Sequence, residues 1–265
     1  MSNSHFRIAL AGNANVGKSV IFNQLTGLHQ HIGNWPGKTV EKAEGTLHFK
    51  GYTIDIIDLP GIYSLSTFSI EELVSREYIA TEKPDLVINV VDASLLERNL
   101  FFTLQLLELE TPLIVALNQI DMAKKKGIMI DYEKAEKILG VPVIPTVAVS
   151  GKGIYGMLER VIEVIEKKTK MDPLKPVYGK EIEERIEDLI ILLSKIQLRY
   201  PARWVAIKLL EEDMEVEKEV VAVSPKTVAV AERLRGELEE LHGHSCPTVV
   251  TSERYQVASR ISGEI

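Results

Sequence analysis

A glycine-rich run near the start of the chain has the residue types and the spacing that bind phosphate groups. Residues 12–19 fit the pattern G-x-x-x-x-G-K-[ST] at every position. In this pattern backbone N–H groups surround the phosphates, Lys18 contacts the β- and γ-phosphates, and the Ser19 hydroxyl binds Mg²⁺. The run follows the apolar segment Phe6–Ala11 and opens a helical pattern, as this mechanism requires. It predicts a nucleoside triphosphate site formed by Gly12, Asn13, Ala14, Asn15, Val16, Gly17, Lys18 and Ser19.

A second short motif follows the apolar run Ile54–Ile57. Asp58, Leu59, Pro60 and Gly61 form a D-x-x-G sequence. On its own such a sequence is usually a turn, but after a strand that follows a phosphate-binding loop it indicates a role at the phosphates. We predict that Asp58 holds Mg²⁺ through water and that Gly61 approaches the γ-phosphate during catalysis.

Two later segments indicate which base the nucleotide carries. Residues 118–121 follow the apolar run Leu113–Leu117 and resemble the N-K-x-D signature of GTP-binding proteins. The aspartate of that signature, here Asp121, accepts hydrogen bonds from N1 and the exocyclic amino group of guanine, which adenine cannot supply. Residues 146–148 match the loop whose main chain contacts the guanine carbonyl. The predicted base-binding residues are Asn118, Gln119, Ile120, Asp121, Thr146, Val147 and Ala148.

The elements that must position these motifs alternate along the first 170 residues. Apolar runs rich in β-branched residues alternate with helical patterns, which predicts βαβ units and a mostly parallel sheet with helices on both faces. Lys50-Gly51 lies between two strand-like runs and predicts a hairpin, so one edge of the sheet should be antiparallel. We predict an α/β domain over residues 1–170, with a P-loop GTPase fold and a six-stranded sheet.

The sequence changes character after Lys170. Asp172-Pro173 and Pro176 block the continuation of a helix, and beyond them apolar residues recur mainly at helical spacing. Acidic residues outnumber basic ones in this part of the chain. We predict a separate, smaller all-α helical domain over residues 175–265.

The composition limits the class of protein. The 265 residues include 31 Lys and Arg against 38 Asp and Glu, which gives a net charge of −7 and argues against binding to nucleic acid. The single cysteine, Cys246, cannot form an internal disulfide and favours a reducing compartment. A run of about 18 uncharged apolar residues is absent, so we expect this chain not to span a membrane. These features predict a soluble, cytoplasmic protein.

Residues 32–41 carry a more specific signature. They include Asn-Trp-Pro-Gly-Lys-Thr-Val-Glu and resemble the switch I of the FeoB ferrous iron transporter family, whose pattern is N-W-P-G-x-T-V-E. Residues 200–211 are similar to the R-W-x-A-x-K-L-L-E segment of that family, and residues 252–255 resemble the helix that precedes its membrane part. The resemblance covers essentially the whole chain.

The resemblance implies a GTPase that uses Mg²⁺ and regulates ferrous iron transport. It implies a G domain, a helical domain that influences nucleotide release, and a polytopic membrane domain after Ile265, so that the chain works at the cytoplasmic face of the cell membrane. Besides GTP and GDP, the implied partners are that membrane domain, small accessory Feo proteins and further copies of the chain. In the family pattern Thr39 binds Mg²⁺ and the γ-phosphate only in the GTP state, so that switch I orders and passes a change through the helical domain to the membrane part. The implied nucleotide contacts of switch I are Gly37, Lys38, Thr39, Val40 and Glu41.

Several positions depart from familiar GTPases. Ile62 stands where Ras-like proteins have the glutamine that orients water, which predicts slow intrinsic hydrolysis. Related GTPases with asparagine at the position of Asn15 can bind K⁺ beside the phosphates, where its charge assists catalysis. Alternatively, Asn15 is only a loop residue that tolerates an unusual φ angle, and the sequence leaves both open. Gln119 replaces the usual lysine, which predicts modest affinity and quick GDP release, and Val147 replaces a more common serine.

Other functions stay open. An RNA-associated GTPase of the ribosome-assembly or tRNA-modification type shares an asparagine-containing phosphate loop, although the acidic helical part is electrostatically wrong for RNA. An ATPase is disfavoured by Asn118 and Asp121. His242, His244 and Cys246 could bind a transition metal or could simply form an exposed loop.

Overall fold

The structure of the chain, a computed structural model, describes residues 5–27, 30–66 and 69–265. The chain divides into two units. The first contains the described residues up to Leu107, Thr111–Leu174 and Ile261–Ile265. The second contains Glu108–Glu110 and Lys175–Arg260. The main division of the chain therefore falls in the proline-containing segment that follows the last helical pattern of the first unit.

Strands of the first unit form one seven-stranded sheet. They are β1 (His5–Gly12), β2 (Gln30–Asn34), β3 (Glu41–Phe49), β4 (Tyr52–Asp58), β5 (Leu86–Asp92), β6 (Leu113–Asn118) and β7 (Val143–Pro145). Their order across the sheet is β2-β3-β4-β1-β5-β6-β7. The five strands from β4 to β7 in this order are parallel, while β2 and β3 form an antiparallel edge.

Helices cover both faces of this sheet. They are α1 (Lys18–Thr26), α2 (Ile70–Glu77), α3 (Leu96–Glu108), α4 (Ile120–Lys125), α5 (Tyr132–Leu139) and α6 (Ile154–Ile165), with a π-helical turn over Tyr78–Glu82 after α2. Successive side chains of a strand point to opposite faces, and every residue of β5 is buried. Ile8 and Leu10 of β1 share one core with Phe22 of α1 and Met157 of α6. The predicted P-loop GTPase fold, with helices on both faces of a mostly parallel sheet, is confirmed.

The predicted count of six strands is wrong, because β2 carries no apolar pattern. Its sequence is Gln-His-Ile-Gly-Asn, and four of its five residues are exposed. Backbone pairing with β3 forms this edge strand, from Gln30 opposite Gly45 to Asn34 opposite Glu41. The segment expected to be a switch I loop therefore begins as a strand, and residues 35–40 form the connection of a hairpin.

The second unit contains five helices in its described part, beginning with α7 (Lys180–Leu193) and α8 (Ala202–Leu210). Then follow α9 (Met214–Val223), α10 (Pro225–His242) and α11 (Cys246–Glu264), whose last residues belong to the first unit. Trp204 of α8 is fully buried, as are Ile186 and Leu189 of α7. The last helix, α11, begins at Cys246, and Pro247 lies in its first turn, where proline is tolerated.

A network of charged side chains lies inside the second unit around Arg254. Arg254 is 1% exposed, and its Nε and Nη2 donate to the two carboxylate oxygens of Glu108 at 3.0 and 3.1 Å. Its Nη1 donates to Glu211 at 2.6 Å, and Lys208 donates to the other oxygen of Glu211 at 2.7 Å. The Tyr178 hydroxyl also donates to Glu108. Two cations thus compensate two anions in a place where an unpaired charge would be costly.

Candidate functional site

The carboxyl ends of the parallel strands bring the predicted motifs to one edge of the sheet. The phosphate-binding loop leaves β1 after Gly12, and Asp58 ends β4, which pairs with β1. Asn118 ends β6, where it lies opposite Asp92 at the end of β5. Ligands of such open sheets bind at this edge, so the topology explains why motifs distant in sequence meet.

Two predicted Mg²⁺ and phosphate residues are joined directly. The Lys18 ammonium forms an ion pair with Asp58, and both side chains are largely buried. The Ser19 hydroxyl lies 3.5 Å from the other oxygen of Asp58. Burial raises the pKa of Asp58, and this effect exceeds the lowering caused by the neighbouring Lys18. A hydroxyl, a carboxylate and a cation therefore meet at the N-terminus of α1.

The segment after Asp58 runs alongside the phosphate-binding loop. The Leu59 N–H donates to the Leu10 carbonyl at 3.0 Å, and the Ile62 N–H donates to the Gly12 carbonyl at 3.2 Å. A Cβ atom on Gly61 would lie 3.2 Å from the Cα of Ala14, so only glycine fits this close approach comfortably. The backbone of Gly61 is thereby held next to the loop, as its predicted role requires.

Asn118 connects three of the predicted segments. Its Nδ2 donates to the Val16 carbonyl at 2.8 Å, and its Oδ1 accepts from the Ala148 N–H at 2.9 Å. The Thr146 hydroxyl donates to the same Oδ1 at 3.3 Å. Gly17 has a φ of 89°, and a Cβ there would collide with the Asn118 amide. The sequence motif did not assign this tie between the phosphate loop and the base-binding segments.

Gln119 adds a second tie to the phosphate loop. Its Nε2 donates to the Asn15 carbonyl at 3.3 Å. Both Gln119 and Asn15 have left-handed backbones, with φ of 61° and 66°. Gln119 thus contacts the phosphate loop through a neutral amide, at the position where GTP-binding proteins usually have a lysine.

Some of the other residues predicted to bind the base line a cavity. Asp121 is half-buried in the first turn of α4, and with Ile120 and Val147 it lines a cavity of about 360 Å³. A larger cleft of about 820 Å³ is bordered by Trp35 and Tyr78 and is lined by none of the residues predicted to bind the nucleotide, so we assign it no role in nucleotide binding.

The structure does not bring Thr39 to the other predicted Mg²⁺ residues. Its side chain is exposed and has no hydrogen-bond partner within the described residues. The hairpin connection around it is held to α2 and the turn after it: Lys38 forms an ion pair of 2.8 Å with Glu77, and the ring of Trp35 meets that of Tyr78 edge-on at 5.3 Å. Among the other switch I residues, Gly37 has a φ of 69°, Val40 is buried and Glu41 is exposed at the start of β3.

Sequence reasoning missed the residues that hold the segment after Gly61. Gln105 of α3 accepts a hydrogen bond from the Leu65 N–H, and Glu72 of α2 accepts from the hydroxyls of Ser64 and Ser66. One signal was available for Gln105, because it is a single amide within the otherwise apolar stretch that follows Thr103. Glu72 offered none beyond its place in a capping sequence.

The three residues considered for a transition metal do not converge. His242 and His244 are exposed, whereas Cys246 is buried and its N–H donates to Glu239 at 3.0 Å. Burial raises the pKa of the Cys246 thiol to about 12, so it stays protonated. Within residues 5–27, 30–66 and 69–265, no three His, Cys, Asp or Glu side chains are grouped to hold a metal ion.

The sheet order and the Lys18–Asp58–Asn118 edge define the P-loop GTPase fold as the class of this protein. Residues 6–161 match the family model described as "Ferrous iron transport protein B". Residues 178–265 match the model described as "FeoB cytosolic helical domain". The chain belongs to the FeoB family.

Similar proteins agree with this assignment. The chain is 42% identical over 264 residues to an Fe(2+) transport protein A/Fe(2+) transporter FeoB fusion protein of Porphyromonas gingivalis, covering 96% of this chain and 31% of that protein. It is 40% identical to an Fe(2+) transporter FeoB of Staphylococcus aureus, covering 91% of this chain and 38% of that protein. The chain thus spans about a third of the length of these relatives.

Solved structures match the whole chain. A crystal structure of a mutant S. thermophilus NFeoB bound to mGDP has a TM-score of 0.90 and 37% identity, and covers 98% of this chain and 99% of its own. The cytosolic domain of the T. maritima FeoB iron transporter in its apo form has a TM-score of 0.85 and 36% identity, with 98% of both chains covered. None of the helices within the described part of this chain is long and apolar enough to cross a membrane.

Proposed function

We propose that this chain binds GTP and GDP with Mg²⁺ and hydrolyses GTP, as the regulatory module of a ferrous iron transporter. The observation that carries the proposal is the meeting of Lys18, Asp58 and Asn118 at the carboxyl edge of the sheet. Relatives of the same fold and about a third identity have been crystallised with GDP.

Different residues bind the phosphates and the base of the nucleotide. The backbone of residues 12–19 and Lys18 hold the phosphates, while Asn118–Asp121 and Thr146–Ala148 hold the base. The Ser19 hydroxyl and the Asp58 carboxylate, 3.5 Å apart, are the hard oxygen donors that Mg²⁺ prefers, so this pair fits that ion. Bound Mg²⁺ supplies neutralisation of charge on the phosphates.

Hydrolysis breaks the bond between the γ-phosphorus and the β–γ bridging oxygen, which leaves in GDP with the electron pair. A water oxygen bonds to phosphorus, and its protons end on phosphate and solvent. Ile62 is 3% exposed and its side chain has no polar atom to orient that water, so we expect slow intrinsic hydrolysis. The Gly61 N–H and Thr39 are the proposed contacts to the reacting phosphate.

Switching requires the hairpin connection of residues 35–40 to move. Thr39 is exposed and Lys38 is paired with Glu77, and we propose that GTP favours a conformation in which this ion pair is released. We propose that the change passes through the helical domain to a membrane domain, at the cytoplasmic face of the membrane, and that the helical domain affects nucleotide release. Contacts with small accessory Feo proteins and oligomerisation stay predictions.

The dependence of GTP hydrolysis on K⁺ tests whether Asn15 takes part in catalysis. Its φ of 66° by itself explains an asparagine, since this residue tolerates left-handed backbone, so the amide must be separated from the backbone angle. Asn15→Gly keeps the angle and removes the amide. If Asn15 holds K⁺ beside the phosphates, GTP hydrolysis by the wild type should be about 10-fold faster in KCl than in NaCl.

The Asn15→Gly variant should hydrolyse GTP at the same rate in both salts, and this rate should equal that of the wild type in NaCl. Steady-state phosphate release at equal ionic strength measures this. Equal rates of the wild type in the two salts would reject the role of K⁺, and a K⁺ effect that survives in Asn15→Gly would show that another residue holds the ion.

A further inference from the structure

The segment that begins at Gly61 lacks the glutamine that orients the attacking water in Ras-like proteins. Ile62 is buried against the core, so its side chain cannot organise the attacking water. Under the proposed function, the backbone N–H of Gly61 contacts the reacting phosphate, so its position matters for catalysis. The rate of hydrolysis depends on what holds the segment from Gly61 to Leu65 in place.

One end of this segment is held by the phosphate loop. The Ile62 N–H donates to the Gly12 carbonyl at 3.2 Å, and the backbone of Gly61 lies against Ala14. The Leu59 N–H donates to the Leu10 carbonyl at 3.0 Å, so the backbone is held on both sides of Gly61 but not beyond Ile62. A further fixed point beyond Ile62 keeps the segment that follows Gly61 from disturbing these bonds.

Gln105 supplies this further point. Its Oε1 accepts from the Leu65 N–H at 2.5 Å, and Gln105 and Leu65 are 2% and 0% exposed. Because both groups are buried, removing the acceptor leaves a backbone N–H without water or a partner, which is unfavourable. The contact is thus strongly favoured.

Glu72 holds the same region in a different way. It accepts from the hydroxyls of Ser64 and Ser66, which are side-chain rotors in a part-buried place. Gln105 instead holds the main chain, three residues beyond the Ile62 contact. Main-chain fixation at both ends restricts Gly61 more than side-chain bonds do.

We propose that Gln105 is a positioning residue for GTP hydrolysis, which holds Leu65 and thereby the Gly61 backbone at the γ-phosphate. This inference rests on the proposed GTPase function. Gln105 touches neither the nucleotide nor Mg²⁺ in this assignment and acts only through the chain it fixes.

Gln105→Met tests the proposal, because it keeps the length of the side chain and removes the acceptor. We expect kcat for GTP to fall about 10-fold or more, while KM and the Kd for GDP change by less than about twofold. Gln105→Glu keeps an acceptor oxygen and should restore kcat to within about threefold of the wild type. The exchange of the Leu65 amide with deuterium should quicken in Gln105→Met.

Thr103→Val is the matched control. Thr103 is fully buried on the same helix and accepts from the Asn89 amide at 2.7 Å, away from Leu65. The Thr103→Val variant should have a lower midpoint of thermal unfolding and an unchanged kcat.

A wild-type kcat in folded Gln105→Met, or unchanged exchange at Leu65, would overturn the proposal, as would an equal loss of kcat in Thr103→Val. If Gln105→Met does not fold, a Gln105→Glu rate that is lowered with unchanged amide exchange would overturn it as well. Absence of GTP hydrolysis by the wild type would instead refute the proposed function.

Discussion

Replacing Asp121 with asparagine is expected to weaken GTP binding about 1,000-fold and to strengthen binding of xanthosine triphosphate. The carboxylate of Asp121 can accept from both N1–H and the exocyclic amino group of guanine. An amide offers one acceptor and one donor, so its NH₂ would face the amino group of guanine. Xanthine has a carbonyl oxygen in place of that amino group and can accept from the new donor.

The surroundings of Asp121 make this expectation specific. The residue is half-buried at the start of α4 and lines a cavity of about 360 Å³ with Val147. Asn118, at the start of the same motif, ties this segment to the phosphate loop, so a base held at Asp121 belongs to a nucleotide whose phosphates lie at Lys18.

Asp131→Asn is a matched control for this substitution. Asp131 caps α5 by accepting from the Lys134 N–H at 3.0 Å, and asparagine caps helices equally well. Its GTP affinity should equal that of the wild type in competition titrations with a fluorescent guanine nucleotide. Unaltered GTP affinity in Asp121→Asn would contradict the assigned base site.

Removing the charge of Glu108 is expected to destabilise the second unit by about 3 kcal/mol. Glu108→Gln leaves Arg254 and Lys208 buried with Glu211 as their remaining anion. The cost comes from a cation without compensation, rather than from the lost attraction alone. Urea unfolding followed by circular dichroism measures the loss.

Two comparisons separate this effect from an ordinary surface ion pair. Arg233→Met breaks the pair with Glu237 on an exposed face, where we expect a change below about 1 kcal/mol. Glu108→Gln combined with Arg254→Met removes both charges and should recover part of the stability. A loss in Glu108→Gln no larger than that in Arg233→Met would show that the network is not compensated as described.

The same network sets a pH dependence. Burial alone would raise the pKa of Glu211, but Arg254 and Lys208 lower it from 4.5 to about 2. The folded-state pKa is below the unfolded one, so this stabilisation is complete above pH 4.5 and is lost as the pH falls towards 2. Arg254→Met should weaken that acid dependence.

Strands with continuous apolar runs could be predicted from the sequence, and so could the motifs at their ends. β5 and β6 are buried on both faces, which leaves an unmistakable pattern. β2 could not be predicted, because backbone pairing with β3 holds it while its side chains face solvent. The start of α11 could not be predicted either, because Pro247 suggests a break in a helix but also suits a first turn.

The site shows the same division between local and tertiary information. The roles proposed for residues 12–19 and Asp121 could be predicted from the spacing of the motifs, because these roles depend on local backbone and on side-chain chemistry. The ties made by Asn118 and Gln105 join residues 102 and 40 positions apart, so only the folded chain reveals them. Thr39 follows Lys38, whose ion pair with Glu77 of α2 is a contact that the motif does not encode.

The most direct test of the central claim is the equilibrium binding of GTP and ATP to this chain with Mg²⁺, measured by competition against one fluorescent guanine nucleotide. We expect GTP to bind at least about 100-fold more tightly than ATP, and Lys18→Ala to weaken the binding of GTP by removing the phosphate contact. Equal affinities for GTP and ATP, or GTP binding unchanged in Lys18→Ala, would contradict the assignment of this site as a guanine nucleotide site.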